Sequence, residues 1–407
     1  MLKKRLSYKV DSQFTKEDHE NSIQNFKNLQ IFADIKPTIT LKKDGTLKID
    51  YEFEEAVTFI PFIVPSASGA GFNITVGFFE NNTFGLAHTS VYTLGYDSGS
   101  NTVNTSLSYT ARELFNSDYT VNTGLRWVDS KTIFKVKYED ETDENKNELY
   151  AGGWGANNLG AHMIVSYPVF SSLSLGLGFD IARMKFTDDS EKIDEVITNS
   201  NAGSSLTLPE KNTQFSAMVT ASFGTINVDK FLANGYYVST STKVPTDKLD
   251  EEEKSGMNYK GSFKGFLTFN KDWLHVTKLN INYTDSSLAQ NLTTVQNTSM
   301  IRGTPENIYW GKGTWNATQE VRIPVFQTQN WLYKLALFSD FGQTIEAPDF
   351  LTERNEKADE FILSVGGGFR AFFKKITALG IIMDVGYQIK PESNLNFRFH
   401  LREMVPF

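Results

Sequence analysis

The segment Ser299-Met300-Ile301-Arg302-Gly303-Thr304, together with the chain that follows it, decides the predicted fold. An Ile-Arg-Gly tripeptide alone carries little information. In the next segments, however, apolar residues occupy every second position and polar residues or glycines stand between them. Five segments share this pattern: 315–325, 333–342, 361–372, 379–387 and 395–401. Successive side chains of a strand point to opposite faces, so each segment predicts a strand with one apolar and one polar face.

The alternation continues upstream and predicts about sixteen strands in all. Its clearest case is Leu173–Ile181, where leucines alternate with Ser, Gly and Asp. The remaining candidate strands are 71–79, 84–96, 102–114, 118–128, 132–140, 156–168, 172–187, 213–228, 234–246, 258–270 and 274–284. Such a series, with aromatic residues on the apolar face, is typical of an antiparallel transmembrane β-barrel. A soluble β-sandwich with one buried face is the alternative.

The composition agrees with a barrel and excludes several other classes. The 407-residue chain has a net charge of −8 and a mean hydropathy of −0.32, and 13% of its residues are aromatic. No apolar run reaches the roughly 18 residues of a membrane-spanning helix. Barrels escape hydropathy analysis because half of each strand faces a polar interior. The acidic balance argues against a nucleic-acid surface.

No motif in the sequence points to an enzyme. The absence of cysteine excludes disulfides, zinc–thiolate sites and thiol nucleophiles. The five histidines are scattered without metal-ligand spacing, and no Gly-x-Ser-x-Gly occurs. Gly366–Gly368 precedes a strand rather than a helix, so we interpret it as relief of crowding in a curved sheet and not as a phosphate loop. We expect no catalysis, no metal and no cofactor.

The order of motifs after residue 300 resembles the C-terminal half of the BamA-like barrels, also called the bacterial surface antigen family. The motifs that carry this resemblance are the Arg-Gly loop, Gln-Glu-Val-Arg-Ile-Pro at 319–324, Leu-Phe-Ser-Asp-Phe-Gly at 337–342, Ser-Val-Gly-Gly-Gly-Phe-Arg at 364–370, and a closing strand before Phe407. Two departures are Thr304, where the family usually has an aromatic residue, and a closing strand without the usual glycine and with Pro406.

The alternation and the resemblance together define a candidate site. Alternation places five charged side chains on the inner face: Glu320, Arg322, Asp340, Arg370 and Asp384. The resemblance implies that the loop Ile301-Arg302-Gly303 folds into the lumen and that Arg302 pairs with Asp340 or Glu320. Arginine suits this role because its planar fork binds carboxylates through two hydrogen bonds. The alternative is that these charges only solvate a pore.

Residues 1–55 differ from the rest and predict a helix packed on a β-hairpin. Thr15 and Asp18 form a helix-start signal, and Asp44-Gly45 marks the turn between two alternating strands. This unit resembles the latter part of a POTRA domain, the periplasmic module that precedes BamA-like barrels. We predict a partial POTRA-like domain at 1–55, a Pro-containing linker at 56–70 and the barrel at 71–407. The basic start lacks the apolar core of a signal peptide, so we expect a mature or truncated chain.

The resemblance implies a protein of the bacterial outer membrane, with its POTRA part in the periplasm, that inserts or translocates other proteins. Its weak seam would lie between the first strand, near 71–79, and the closing strand with Phe397, Phe399, Leu401 and Phe407. Expected partners are unfolded outer-membrane or secreted proteins, outer-membrane lipids, and periplasmic chaperones or lipoproteins. The alternatives are a secretion or transport pore, the membrane barrel of a longer chain with a cargo or enzyme domain, and an adhesin.

Overall fold

The computed structural model describes most of the chain, in fourteen separate ranges. These are residues 2–9, 12–68, 71–98, 101–137, 149–188, 212–229, 231–245, 256–285, 293–294, 301–303, 310–346, 361–374, 380–390 and 396–400. No helix among them is long and apolar enough to cross a membrane.

The described residues form one α-helix, two short 3-10 helices and twenty strands. The helices are Leu2–Arg5 (3-10), α1 Lys16–Lys27 and Leu114–Asn116 (3-10). The strands are β1 Phe32–Leu41, β2 Leu47–Glu55, β3 Phe59–Ser68, β4 Gly71–Thr83, β5 His88–Asp97, β6 Thr102–Ala111, β7 Thr120–Lys137, β8 Leu149–Phe170, β9 Leu173–Asp188, β10 Asn212–Asp229, β11 Leu232–Pro245, β12 Asn258–Phe269, β13 Trp273–Thr284, β14 Thr293–Thr294, β15 Trp310–Gly311, β16 Gly313–Gln327, β17 Trp331–Ile345, β18 Ile362–Phe373, β19 Gly380–Lys390 and β20 Asn396–His400.

The N-terminal unit is α1 packed on the β1–β2 hairpin, which confirms the predicted helix and hairpin. Thr15 Oγ1 accepts from the Asp18 backbone N–H at 3.1 Å, and Asp18 Oδ2 accepts from that of Thr15 at 3.1 Å. This reciprocal cap satisfies two N–H groups that the first helical turn leaves free. Phe26, only 2% exposed, then packs edge-on against Tyr51 and Phe53 of β2.

The hairpin turn is closed by a single acidic residue. Asp44 Oδ1 accepts from the Thr46 hydroxyl at 2.6 Å and from its backbone N–H at 3.0 Å. These bonds stabilise the ionised carboxylate and hold the pKa of Asp44 below its usual value. Gly45 has a φ of +81°, a conformation that glycine adopts without steric cost.

Sixteen strands, β3 to β13 and β16 to β20, form one antiparallel sheet in which each strand pairs with its neighbours in this order. The sheet curls round until its end strands meet, and one residue pair, Ser66 with His400, bridges β3 and β20. Among the described residues, β14 and β15 form a separate two-stranded ribbon. The structure therefore has the predicted antiparallel architecture, with its first and last strands, β3 and β20, next to each other.

The prediction that residues 56–70 are a linker is wrong, and with it the prediction that the first barrel strand lies at 71–79. Residues Phe59 to Ser68 pair with β4 along their whole length and form the first strand of the sheet. Pro61 and Pro65 suggested a linker because proline lacks the N–H of a ladder bond. They stand four residues apart, so both missing N–H groups fall on the same edge of the strand. The first strand of the sheet can accommodate them on the edge that faces away from β4, with which its pairing is continuous.

A second error offsets the first in the strand count. The segments 118–128 and 132–140 were predicted as two strands, but the chain runs through both as β7. The number sixteen is thus reached with one strand missed and one divided. The segment 84–96 also begins too early, because Phe84 and Ala87 have φ values of 60° and 50° and belong to a turn.

The two faces and the two ends of the sheet differ. Leu177 and Leu337 point outward and are 68% and 60% exposed, whereas Asp180 and Asp340 point inward and are 3% and 0% exposed. At one end the strands are joined by short turns, and the N-terminal unit lies there. Gln24 Nε2 of α1 donates to the Val228 carbonyl at 3.0 Å. At the other end longer connections join the strands, including the one that carries Arg302.

Candidate functional site

The residues Ile301–Gly303 lie inside the curled sheet, and Arg302 is anchored on β17. Its Nε and Nη2 donate to Asp340 Oδ2 and Oδ1 at 2.7 and 2.8 Å. Its backbone N–H donates to the same carboxylate at 3.0 Å. Ile301 and Asp340 are both 0% exposed. A fork-to-fork pair of this kind fixes orientation as well as distance, so it fixes the path of the backbone through the lumen.

Arg302 also contacts β16 and β19, the two strands that flank the β17–β18 pair. Its Nη1 donates to Glu320 Oε2 of β16 at 2.7 Å and lies 3.3 Å from Asp384 Oδ2 of β19. The guanidinium carbon stands 3.4 Å above the Phe338 ring. The Arg302 side chain therefore contacts carboxylates on three strands, and it also makes a cation–π interaction with the ring of Phe338.

Two further arginines complete a lumenal ion-pair cluster. Arg322 Nε donates to Glu320 Oε1 at 2.7 Å. Arg370 donates to Asp384 Oδ1 at 2.5 Å and to Glu320 Oε2 at 3.2 Å. We call the six residues, Arg302, Arg322, Arg370, Glu320, Asp340 and Asp384, the arginine cluster. Its three guanidiniums and three carboxylates cancel in formal charge, which lets all six be buried together.

Glycines provide the space that the arginine cluster needs. Gly303 has a φ of +90°, and a Cβ there would lie 2.6 Å from the Gly386 carbonyl carbon. A Cβ on Gly386 would in turn lie 2.8 Å from the Arg302 carbonyl carbon. Gly366 leaves room for the Phe338 ring, as its own Cβ would overlap that ring. The Gly366–Gly368 run thus relieves crowding, as the sequence predicted.

The structure brings together all six charged residues proposed from the sequence. Arg302 contacts both of its proposed partners, Asp340 and Glu320, and it also contacts Asp384. The Ser364 hydroxyl, which the sequence analysis did not single out, donates to the Arg302 carbonyl. Of the proposed closing-strand residues, Phe397 and Phe399 lie in β20, opposite Val385 and Met383. Leu401, Phe407 and Thr304 lie outside the described residues.

A second lumenal ion pair lies on a different part of the barrel wall, formed by β7, β9 and β11, and the sequence analysis did not predict it. Arg126 of β7 donates to Asp180 of β9 through both terminal nitrogens, at 2.6 and 3.1 Å. Lys243 of β11 donates to the same carboxylate. Gly160 makes room for the arginine, because a Cβ there would lie 2.7 Å from Arg126 Cζ. The available signal was Asp180 itself, a charged residue on the inner face of a strand with clear alternation, where the preceding inner-face residues are serine and glycine.

A cavity of about 1100 Å³ lies at the short-turn end, between the N-terminal unit and the turns of the sheet. Its wall combines Phe32 and Ile35 of β1 with Phe326 and Leu332 of the β16–β17 hairpin. The buried Lys334 also lines it, with its Nζ 3.2 Å from the Phe231 carbonyl. The lining of the cavity is therefore mixed, with apolar and charged side chains side by side.

The chemistry of the arginine cluster is structural anchoring. Each carboxylate in it accepts from at least one guanidinium. Within the described ranges, no group of three or more His, Cys, Asp or Glu side chains could hold a metal ion. What the arrangement can do is hold a loop across a lumen through several strands at once.

Comparison with solved structures identifies the fold. The match to CdiB from Escherichia coli covers 98% of this chain and 73% of the CdiB chain, with 10% identity and a TM-score of 0.65. CdiB from Acinetobacter baumannii covers 98% and 70%, with 11% identity and a TM-score of 0.60. BamA from Haemophilus ducreyi lacking POTRA domains 1–3 covers 98% and 81%, with 15% identity and a TM-score of 0.53. The chain has the fold of the BamA and CdiB barrels.

Sequence comparisons add nothing to this likeness. No protein-family model and no curated protein matches the chain. At 10–15% identity the structural neighbours show the architecture, and activity must be argued from the chain's own residues.

Proposed function

We propose that this chain is a β-barrel of the bacterial outer membrane, of the BamA-like type, that inserts or translocates other proteins without catalysis or cofactor. The fold shared with BamA and CdiB supports the class and the location. The arginine cluster adds a loop anchored in the lumen, the feature that the BamA-like resemblance led us to expect. The helix–hairpin unit would then be the periplasmic, POTRA-like part of the chain.

The observation that carries the insertion activity is the junction between β3 and β20, the first and last strands of the sheet. β3 carries Pro61 and Pro65 while its pairing with β4 is continuous. Because proline has no N–H, these two positions donate no ladder hydrogen bond, which lowers the cost of separating β3 from a neighbouring strand. The freed edges offer unpaired N–H and C=O groups to an incoming strand, which is recognition by β-augmentation.

The cavity at the short-turn end supports the same proposal as a receiving site. It opens between the β1 edge and the ends of the hairpins, so an unfolded client could reach the barrel through it. Outer-membrane lipids would surround the sheet. Periplasmic chaperones or lipoproteins would deliver unfolded outer-membrane or secreted proteins to the N-terminal unit.

A covalent lock across the junction tests the proposal. The chain has no native cysteine, so Ser66→Cys with His400→Cys introduces the only thiols. Disulfides need Cα atoms about 4.4–6.8 Å apart, a distance that directly paired residues of neighbouring strands provide. We expect the oxidised variant to stay folded but to lose assembly of a urea-unfolded outer-membrane protein in lipid vesicles, and reductant to restore it.

A matched control separates the lock from any effect of a disulfide in the sheet. Thr93→Cys with Ser106→Cys joins β5 to β6, where the two native hydroxyls are 2.7 Å apart in an ordinary ladder. This variant should assemble clients equally well when oxidised and reduced. Full activity of the oxidised Ser66/His400 variant would rule out strand separation and leave the lumen as the route, as in a secretion pore.

A further inference from the structure

A group of polar side chains lies within the apolar band on the outward face of the sheet. His275 and Thr277 of β13 and Gln319 of β16 point outward, because their sequence neighbours Leu274, Val276 and Glu320 point inward and are buried. Along β13 the group lies between Trp273 and Tyr283, aromatic residues near the two ends of the strand. If the barrel spans a membrane, as in the proposed function on which this inference rests, these groups face lipid hydrocarbon.

The hydrogen bonds within this group leave the amide nitrogen of Gln319 and one ring nitrogen of His275 unused. Gln319 Oε1 accepts from His275 Nε2 at 2.9 Å and from Thr277 Oγ1 at 2.9 Å. These two bonds use both lone pairs of the amide oxygen. The amide nitrogen of Gln319 and Nδ1 of His275 have no hydrogen-bond partner among the residues that the structure describes. In hydrocarbon no water can satisfy them, so their exposure there is costly.

The two unused groups are complementary to each other in a second copy of the chain. Under a two-fold axis, the Gln319 amide of each copy can donate to His275 Nδ1 of the other, which gives each Nδ1 a partner and uses one of the two N–H donors of each amide. Rotating the amide by 180° turns the oxygen into the acceptor and Nδ1–H into the donor, so the complementarity does not depend on the assignment of amide atoms. A contact in which residue i meets j and j meets i is the signature of a two-fold interface.

We propose that His275, Thr277 and Gln319 form the contact through which two copies of this chain associate side by side in the membrane. The surrounding side chains permit close approach, since Ala317 precedes Gln319 on the outward face and Ser339 stands opposite it on β17. Small residues and interchain hydrogen bonds are the features that stabilise association within a bilayer. A different partner would have to present a donor and an acceptor at the same spacing.

A single-cysteine variant tests the contact. Val321 pairs with His275 in the ladder, next to the Thr277–Gln319 pair, so it lies close to the expected axis. With no native thiol, Val321→Cys can form a disulfide or react with a short bismaleimide only between two copies. In vesicles of phosphatidylethanolamine and phosphatidylglycerol we expect a cross-linked species of twice the chain mass. Leu177→Cys, outward on β9 and 68% exposed, should remain monomeric.

A second variant tests the hydrogen bonds rather than the proximity. Gln319→Leu in the Val321→Cys background replaces the amide by an apolar side chain that suits lipid and should preserve the fold. Loss of two interchain hydrogen bonds within a membrane should weaken association by roughly tenfold. We measure the cross-linked fraction as the lipid-to-protein ratio rises. In the Gln319→Leu variant this fraction should fall at a roughly tenfold lower lipid-to-protein ratio than in Val321→Cys alone.

The possible outcomes separate this inference from the proposed function. Folded, lipid-inserted Val321→Cys that stays monomeric overturns the two-copy contact and leaves the proposed function standing. A chain that does not insert into vesicles overturns both. Cross-linking unaffected by Gln319→Leu rejects the hydrogen-bonded contact. A cross-linked species in cell membranes at a mass other than twice that of the chain assigns the face to a different membrane protein and overturns the second copy as its occupant.

Discussion

Arg302 shows how much one side chain can organise when its geometry matches its surroundings. Its planar fork binds Asp340 through two parallel bonds, and its remaining nitrogen reaches Glu320 and Asp384. A lysine would carry the same charge but could not bind a carboxylate in this planar, two-bonded way. The sequence motif and the alternation together predicted this contact, because a loop arginine and inward carboxylates were both visible without coordinates.

Removal of one carboxylate should release the loop. Asp340→Asn leaves the Arg302 guanidinium without its two-bonded partner, and breaking a buried ion pair by removal of one member costs about 3–5 kcal/mol. We expect lower stability toward urea in detergent and cleavage by trypsin after Arg302, where the native chain resists. Glu346→Gln breaks the exposed pair with Lys312 and should change stability by about 1 kcal/mol or less. Equal effects of the two substitutions would contradict the anchoring role.

Gly303 tests the backbone of the same loop. Gly303→Ala places a Cβ within 2.6 Å of the Gly386 backbone at a φ of +90°, so two costs apply to one methyl group. We expect destabilisation of at least about 1–3 kcal/mol from backbone strain alone, seen as a lower unfolding midpoint. Gly45→Ala, at a φ of +81° with open space around its Cβ, carries the strain without the clash and is the matched control. Equal losses would show that contact with β19 is unimportant.

Among the strands, sequence patterns predicted most of the sheet and failed where pairing decides the outcome. Alternation located β4 to β6, β8 to β13 and β16 to β20 because each has one apolar face, and it did not predict the short strands β14 and β15. It missed β3 because two prolines signal a break unless the partner strands are known. It could not predict the Arg126–Asp180–Lys243 contact, since that depends on the register of three strands, β7, β9 and β11, which are not immediate neighbours. Register is set in part by turns and packing, which alternation does not encode.

The N-terminal unit should limit passage through the short-turn end. Asn28 bonds to the β10–β11 hairpin, with its Oδ1 accepting from the Val228 N–H at 3.2 Å, while Arg5 pairs with Glu113 beyond β6 at 2.8 Å. These contacts hold the unit to hairpins well apart on the rim. We expect Asn28→Ala with Arg5→Ala to raise single-channel conductance in planar bilayers. Lys16→Ala, whose side chain is 89% exposed, should leave conductance unchanged. Conductance that stays native in the double variant would show that these contacts do not restrict the opening.

At the scale of the whole molecule, the barrel combines a wall joined by side chains with a junction between its first and last strands that contains two prolines. The arginine cluster ties β16, β17, β18 and β19 to one loop, so this wall is held by side chains as well as by ladders. At the junction of β3 and β20, β3 contains two prolines that cannot donate a ladder hydrogen bond. We therefore expect local opening to be concentrated at the junction.

Hydrogen exchange in detergent or lipid measures that asymmetry directly. Backbone amides in Phe59–Ser68 should exchange faster than those in Gly313–Gln327, because β3 carries two prolines that donate no ladder hydrogen bond, whereas opening β16 breaks two ladders and the ion pairs of Glu320 and Arg322. In the oxidised Ser66→Cys/His400→Cys variant the exchange of β3 should slow, while that of β16 should stay the same. Equal protection of the two strands in the unlocked chain would mean that the junction is no weaker than the rest of the sheet, and strand separation there would lose its physical basis.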